Sequence, residues 1–215
     1  VNSITDSIHH SVNVLLISGN EDSIKKFFID NHVVSYMPHR YCDGIYDYEF
    51  VLSNILPVPH ELYNVSISES YNSKNRNVRR LIDKYGYPNA LEFKMREWGV
   101  TSNIENSYSF LYNNNTKLLI VFSVAGLSII PWLEYALKKY PMLSVDYMAC
   151  NPFINWHHEY RFVEGMVAKS ITSRLETNRH KWDVYFDTKM WYNDNCNDWY
   201  KSIRYHDIEN LVVSS

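Results

Sequence analysis

The sequence predicts an α+β fold: antiparallel sheet with helices packed on one face. Three observations carry that expectation. Residues 117–149 read strand, helix, strand. Residues 158–171 alternate apolar and polar on either side of Glu164-Gly165, the mark of a hairpin. Residues 12–31 read as a buried strand followed by a short amphipathic helix. Elements of this length bury their apolar sides by layering helices on a sheet.

Taken in order, residues 1–11 are polar and read as a loosely held terminus. Val12, Val14, Leu15 and Leu16 form a strand that ends at Ser18-Gly19. Asn20 suits a helix N-cap, and Glu21 and Asp22 suit the first turn. Ile24, Phe27 and Phe28 make the apolar face of that helix, which runs out near Asn31. Residues 32–45 read as irregular. Tyr46, Tyr48 and Phe50 alternate with Asp47 and Glu49, a second strand. Pro57 and Pro59 keep residues 54–62 out of helix. Residues 63–77, rich in Ser, Asn and Tyr, read as a mobile loop. Residues 77–85 read as helix until Gly86-Tyr87-Pro88 breaks it. Asn89 then caps a helix that runs to Glu97 and closes at Gly99.

Residues 100–104 and 107–112 are strand candidates. Asn113-Asn114-Asn115 tolerates positive φ and turns the second of them into a hairpin with residues 118–124. That run is continuously apolar and rich in β-branched side chains, which fits an internal strand buried on both faces. Ser128 is placed to cap the next helix, and Pro131 fits its first turn. Trp132, Leu133, Ala136, Leu137 and Tyr140 recur at helical spacing, Lys138 and Lys139 suit the last turn, and Pro141 stops it. Leu143, Val145 and Tyr147 alternate with Ser144, Asp146 and Met148, a half-buried strand. The strands on either side of this helix read as a parallel pair joined by a right-handed crossover. Residues 151–156 read as a loop before the hairpin. Val184 and Phe186 suggest one more strand, in a tail whose apolar points are Trp191, Cys196 and Trp199. Trp98 and Trp132 are expected as core anchors. The organisation expected is a strand-helix-strand unit with a loop (1–77), a sheet domain (78–172) and an extension packing on it (173–215).

Composition narrows the function classes. Of 215 residues 46% are hydrophobic, with only 6 Gly and 7 Pro, so a sizeable core is available. A net charge of −3 lacks both the basic excess of a dedicated duplex-DNA binder and the acidity of a DNA mimic. Three widely spaced cysteines with no CxxC indicate neither a disulfide framework nor a zinc knuckle, and suit a reducing cytoplasm. No apolar run reaches the roughly 20 residues of a membrane span, and the first 17 residues lack a secretory pattern. The 18 tyrosines serve a core and sheet surface, or a sticky interface.

The spaced motifs carry a resemblance. Tyr85-Gly86 with Asn89, Trp98-Gly99 with Asn103, Phe122 with Ala125, Pro131, Lys138-Lys139-Tyr140-Pro141 and the aromatic hairpin around Glu164-Gly165 follow one another in the chain. Phe50 with Ile55-Leu56-Pro57, Pro59 and Glu61-Leu62 precedes them. In this order the set, over residues 10–172, resembles the Api92-like proteins of phages and conjugative plasmids. The resemblance implies a ferredoxin-like antiparallel sheet. This sequence departs from the family where Trp-Ser-Pro-Pro commonly follows the central strand; here the run is Val124-Ala125-Gly126-Leu127-Ser128-Ile129. The Gly-rich loop before the last hairpin is replaced by residues 150–156, and Ser102 stands where the family has Trp. The hydrophobic frame is kept and the loops above it are rewritten.

The candidate site residues fall in two groups. Phe153, Asn155, Trp156, His157 and Glu159 lie on or beside the rewritten loop. On a strand His157 and Glu159 share a side, but two ligands do not complete a zinc site. Asp146, His180 or His206 would have to join them, and ordinary strand-edge residues account for the pair without a metal. Cys150 with His157 or His158 would make a nucleophile only if the thiol were activated. The second group is Arg76, Arg79 and Arg80, which with Lys74 form a basic run at a helix start, either a solvated face or a phosphate contact. Tyr108, Phe110 and Tyr112 alternate as a base-stacking row would, or as core. No phosphate loop, Gly-x-Ser-x-Gly or His-Glu-x-x-His occurs. The resemblance implies a phage- or mobile-element-encoded, non-enzymatic accessory protein that binds and inhibits a host defence protein in the bacterial cytoplasm. Such a protein would have no cofactor, metal or membrane. The alternatives are a nucleotide or single-stranded RNA/DNA binding module and a metal-dependent enzyme using His157 and Glu159.

Overall fold

Strand β1 (His10–Ser18) sits at the middle of the sheet rather than at its margin. The computed structural model describes residues 10–34, 48–72, 74–112, 114–151, 156–164 and 166–174. Five later strands join β1 in one sheet: β4 (Glu105–Tyr112), β5 (Lys117–Ala125), β6 (Ser144–Asn151), β7 (Trp156–Val163) and β8 (Met166–Arg174). Their order is β4-β5-β1-β6-β7-β8, and every neighbouring pair is antiparallel. A short ribbon of β2 (His32–Val34) and β3 (Tyr48–Phe50) stands apart from it. The fold is therefore α+β, an open antiparallel sheet with helices against it, consistent in general terms with a ferredoxin-like arrangement.

Helix α1 (Glu21–Asn31) follows β1, capped by Asn20, whose side chain accepts from the Ser23 N–H at 2.8 Å. Between the ribbon and the main sheet come two 3₁₀ turns, Leu52–Asn54 and His60–Asn64, then α2 (Ile67–Ser70), α3 (Arg76–Tyr85) and α4 (Ala90–Phe93). The last runs on through a π turn, Lys94–Trp98. Helix α5 (Ile130–Lys139) links β5 to β6. These elements bury Ile24, Phe27, Val78, Leu81, Trp98, Trp132 and Leu133 against Leu15, Ile17, Ile120, Phe122, Val145 and Tyr147 of the sheet. Phe50 is central to this layer, its ring 5.4 Å from Phe122 and 5.5 Å from Trp132. Trp132 and Trp98 are 0% and 1% exposed, and both also hold the proline-bearing turn. Trp132 Nε1–H donates to the Leu52 carbonyl at 2.8 Å, and Trp98 Nε1–H to Leu56 at 2.9 Å. Gly99 is required beside them: its φ is +81°, and a Cβ there would lie 2.2 Å from the Ser128 carbonyl oxygen.

Several expectations need correction. The strands flanking α5 are not adjacent; each pairs with β1, which lies between them, so the expected parallel pair is split. Strand β6 alternates as expected only as far as Tyr147 and is buried on both faces beyond it. Val145, Tyr147 and Ala149 lie under the helices, and Met148 and Cys150 on the opposite side are buried as well. Residues 63–72 are not a loop without structure. Ser66 and Glu69 form a reciprocal capping box at the head of α2. Residues 32–34 are strand, whereas residues 100–104 provide only a single bridge, Val100 to Gly126. Ser128 does not cap α5; Ile129 occupies that position. Asn151 belongs to β6 and Trp156 to β7, which shortens the expected loop from both ends. The β4–β5 turn is as expected, with Asn114 and Asn115 at φ of 55° and 61°. The suggested strand at Val184 and Phe186 and the rest of the extension lie outside the described residues. No described helix is long and apolar enough to cross a membrane.

Two polar groups inside the core fix its register. Tyr147 is wholly buried; its hydroxyl donates to Asn13 Oδ1 on β1 and accepts from the Ile129 N–H at 2.9 Å. Burial pushes that phenol far above its ordinary range. His32, 7% exposed, donates from Nδ1 to the Phe28 carbonyl at 2.8 Å and accepts at Nε2 from Ser109 Oγ at 2.7 Å. This ties the β2–β3 ribbon to β4, helped by the Phe50 N–H donating to Ser107 Oγ at 2.8 Å. Burial pushes the His32 imidazole down to about 4.

Two tests follow from these contacts. Tyr147→Phe strands a buried acceptor and a buried N–H and should cost about 1–3 kcal/mol. Trp132→Ala should cost about 3–5 kcal/mol through the cavity it opens. Urea unfolding monitored by circular dichroism measures both, and a cost below about 0.5 kcal/mol for either refutes its assigned place. The unfolded chain protonates His32 near the ordinary value of 6.5, the folded chain only near 4. Its contribution is thus complete above pH 6.5 and is lost as pH falls towards 4, on the order of 3 kcal/mol in all. His32→Gln should flatten the stability profile in that window relative to the parent chain, and an unchanged slope speaks against a neutral buried imidazole.

Candidate functional site

Strand β7 separates the expected site residues onto its two faces, because neighbouring side chains on a strand point opposite ways. His157 and Glu159 lie on the face away from the helices. There Cys150 pairs in register with His157, Met148 with Glu159, and Asp146 with Arg161. His157 and Cys150 are buried, at 2% and 1% exposure. His157 Nε2 lies 3.2 Å from Glu159 Oε1. Asp146 is engaged by Arg161, whose Nε–H donates to Oδ1 at 2.5 Å. Among the described residues no three His, Cys, Asp or Glu side chains are placed to hold one metal ion. His180 and His206 lie outside them, as do Phe153 and Asn155.

Trp156 belongs to the other face, with His158, considered from the sequence only as a partner for Cys150, and with Tyr160 and Phe162, which were not site candidates. Trp156, His158, Tyr160 and Phe162 follow ring against ring along the strand, edge-to-face, then tilted, then stacked. Ring centroids lie 5.2, 4.3 and 6.0 Å apart in succession. Phe162 is inside the helical core, and the other three are half-buried. The row thus begins under the helices and runs out from beneath them. Its signal in the sequence is the unbroken alternation from Trp156 to Phe162, obscured when Trp156 is assigned to the preceding loop. Desolvation, and next to it the neighbouring His157, hold the His158 imidazole below its ordinary value. Its Nδ1 is buried and has no hydrogen-bond partner.

Beside this row lies the sheet's outer edge. Among the described residues no strand pairs with the far side of β8. Met166, Val167, Ala168, Ser170 and Thr172 are all exposed. At the tip Val163 pairs with Met166 and Phe162 with Val167. Val163, Met166 and Val167 are 41%, 69% and 46% exposed, an apolar hairpin end in water. The opposite edge differs: β4 is flanked by the ribbon through His32 and Ser109. Tyr108, Phe110 and Tyr112 pair in register with Val121, Leu119 and Lys117.

The basic group is far from this in the chain and on different architecture. Arg76, Arg79 and Arg80 all lie on α3, whose Val78 and Leu81 face the core. Asn75 caps its start, accepting from the Asn77 N–H at 2.9 Å, and Gly86, left-handed at φ 79°, closes its end. Glu61 stands opposite. Its Oε1 accepts from Lys84 Nζ at 2.6 Å and from the Tyr85 hydroxyl at 3.1 Å, and its Oε2 lies 3.3 Å from an Arg80 guanidinium nitrogen. The Lys84 bond, then that of Tyr85, holds the Glu61 carboxyl below its ordinary value.

No family model matches this chain, and neither a curated protein nor a solved structure does. The site is therefore defined by geometry alone: an apolar sheet edge with a half-buried aromatic row, and a separate cationic helix face.

The His158 environment is checked by titration of the imidazole ring protons in nuclear magnetic resonance spectra. Its midpoint should fall below 6.5, with the resonance assigned by its loss in His158→Asn. A midpoint at or above 6.5 contradicts a desolvated ring.

Proposed function

We propose that this chain is a binding protein that acts by occupying a partner protein, and that it docks through the β7–β8 ribbon. The observation that carries this reading is the outer strand. An edge strand offers a row of backbone donors and acceptors to any chain laid beside it, and proteins that do not use such an edge blunt it with charge, proline or cover. Strand β8 holds two cations, Lys169 and Arg174, and no proline, and one register shift, between Arg161 and Phe162, sets the hairpin tip off from the rest of the edge. An apolar tip joins the edge, and rigid half-buried rings lie behind it. Backbone pairing supplies affinity in this mode of recognition, and alternate side chains supply selectivity. The resemblance to the Api92-like proteins supports the rest of the proposal: the source is a phage or mobile element, and the partner is a bacterial host defence protein blocked by occupancy.

Photo-crosslinking in a bacterial lysate tests this with the full chain. A crosslinking residue in place of Ala168 on β8 should couple to one discrete protein, and the same residue in place of Glu134 on α5 should not. Val167→Asp combined with Met166→Asp should reduce the yield by at least about tenfold, the loss of roughly 1.4 kcal/mol of contact. Equal coupling from both positions, or no discrete product from position 168, overturns the reading.

A further inference from the structure

The sheet has a second core. Six buried apolar side chains stand outside the one formed with the helices: Val14 and Leu16 on β1, Leu119 and Val121 on β5, Met148 and Cys150 on β6. Each alternates with the strand residues that meet the helices, so all six share the opposite face. The register makes them one patch. Val14 stands between Val121 and Met148, Leu16 beside Leu119, and Cys150 beside His157. All six are between 1% and 7% exposed. An antiparallel sheet layered on one side leaves its other face wet, so burial this deep requires a second layer. Among the described residues, the helices bury their apolar side chains in the other core. A single chain achieves the burial, so the second layer is part of that chain.

The gradient of burial shows where the layer enters. On this face of β7, exposure climbs from 2% at His157 through 12% at Glu159 to 36% at Arg161. Strand β8 pairs Ser173 with His157 and Arg174 with Trp156, so the chain leaves the sheet at the covered end. Other stretches fit less well. Residues 35–47 join β2 to β3, which stand against β4; reaching His157 means crossing about 19 Å of sheet and returning, at about 4.8 Å per strand. Residues 152–155 are tied to β6 and β7 and cannot reach Leu119 on β5. Residues 1–9 bring Val1, Ile4 and Ile8 and no Phe, Tyr or Trp. Residues 175–215 bring Trp182, Trp191 and Trp199, half the tryptophans of the chain, and Trp182, Val184 and Phe186 recur at every second position. Aromatic rings cover about 150–250 Å² each. We infer that residues 175–215 form the second layer. They leave β8 at Arg174, cross β7 and β6 over His157 and Cys150, and reach Leu119 on β5, with Trp182, Val184 and Phe186 set into the patch. This face is thereby closed to any partner, and the placement holds whether or not the β7–β8 ribbon binds one.

Photo-methionine in place of the methionines tests this with the full chain, because Met148 lies in the patch. After irradiation, mass spectrometry should map coupling from position 148 into residues 175–215 of the same molecule. Coupling from position 148 into residues 1–9 or 35–47, coupling between isotopically labelled and unlabelled copies, or reaction with water alone overturns the proposal. The Cys150 thiol gives a second reading. Beneath the layer it should react with iodoacetamide at least about a hundredfold more slowly under native conditions than in urea. Val184→Asp combined with Phe186→Asp should speed the native reaction at least about tenfold, while the α5 amides keep their protection from hydrogen exchange. The crosslink decides where the variant loses that protection. Rapid alkylation of the parent chain, or an unchanged rate in a folded variant, overturns the proposal as well.

Discussion

The hydroxyl of Tyr147 joins three stretches of chain that the rest of the fold depends on. It donates to Asn13 in β1 and accepts from Ile129 at the head of α5, while the tyrosine itself belongs to β6. Ser128 also engages it. Asn13 is satisfied in turn, its Nδ2 donating to the carbonyl and hydroxyl of Ser11, each at 3.1 Å. A buried polar group without partners is costly, whereas one with all its partners admits a single arrangement. Sliding β1 by one residue against β6 would move Asn13 to the other face and leave the hydroxyl alone among hydrocarbon. Hydrophobic burial brings these strands together without fixing their alignment. The Tyr147 network supplies the alignment, and the head of α5 is set by the same atom.

That alignment determines where the sheet has cover. The described helices other than α2 all contribute to one core, centred on Phe50, Phe122 and Trp132. The helical layer reaches Phe162 on β7, but leaves Trp156, His158 and Tyr160 only half-buried. Strand β8 lies one position further out. Among the described residues, the aromatic row and the apolar hairpin tip lie where the sheet extends beyond the helices. A protein with no use for this margin would be expected to shorten it or charge it.

The parts of the fold that depend on local chemistry were legible in the sequence. Asn20 caps α1, the paired asparagines turn β4 into β5, and the apolar run of 118–124 lies inside the sheet. The parts that depend on distant partners were not. Nothing near Val12 states that two later strands will flank it, so the strand order stayed hidden. Ser128 looked like a cap because of its neighbours, yet its side chain turns to Tyr147, and that hydroxyl takes the N–H of Ile129. The Ser66 to Glu69 box was present in the letters, but the polar composition around it outweighed the spacing. At the candidate site, the grouping of Arg76, Arg79 and Arg80 on one helix was readable from their spacing. The role of Glu61 was not, since it lies more than a dozen residues upstream on a 3₁₀ turn.

Glu61 also shows how a surface ion pair can matter with little effect on stability. Its partners Arg80 and Lys84 remain more than half exposed, and exposed pairs of this kind contribute little to folding. The neighbouring Tyr85 hydroxyl fixes the carboxylate from a second side, so the bonds constrain direction. Two long cationic side chains that would otherwise sample many rotamers are held towards Glu61.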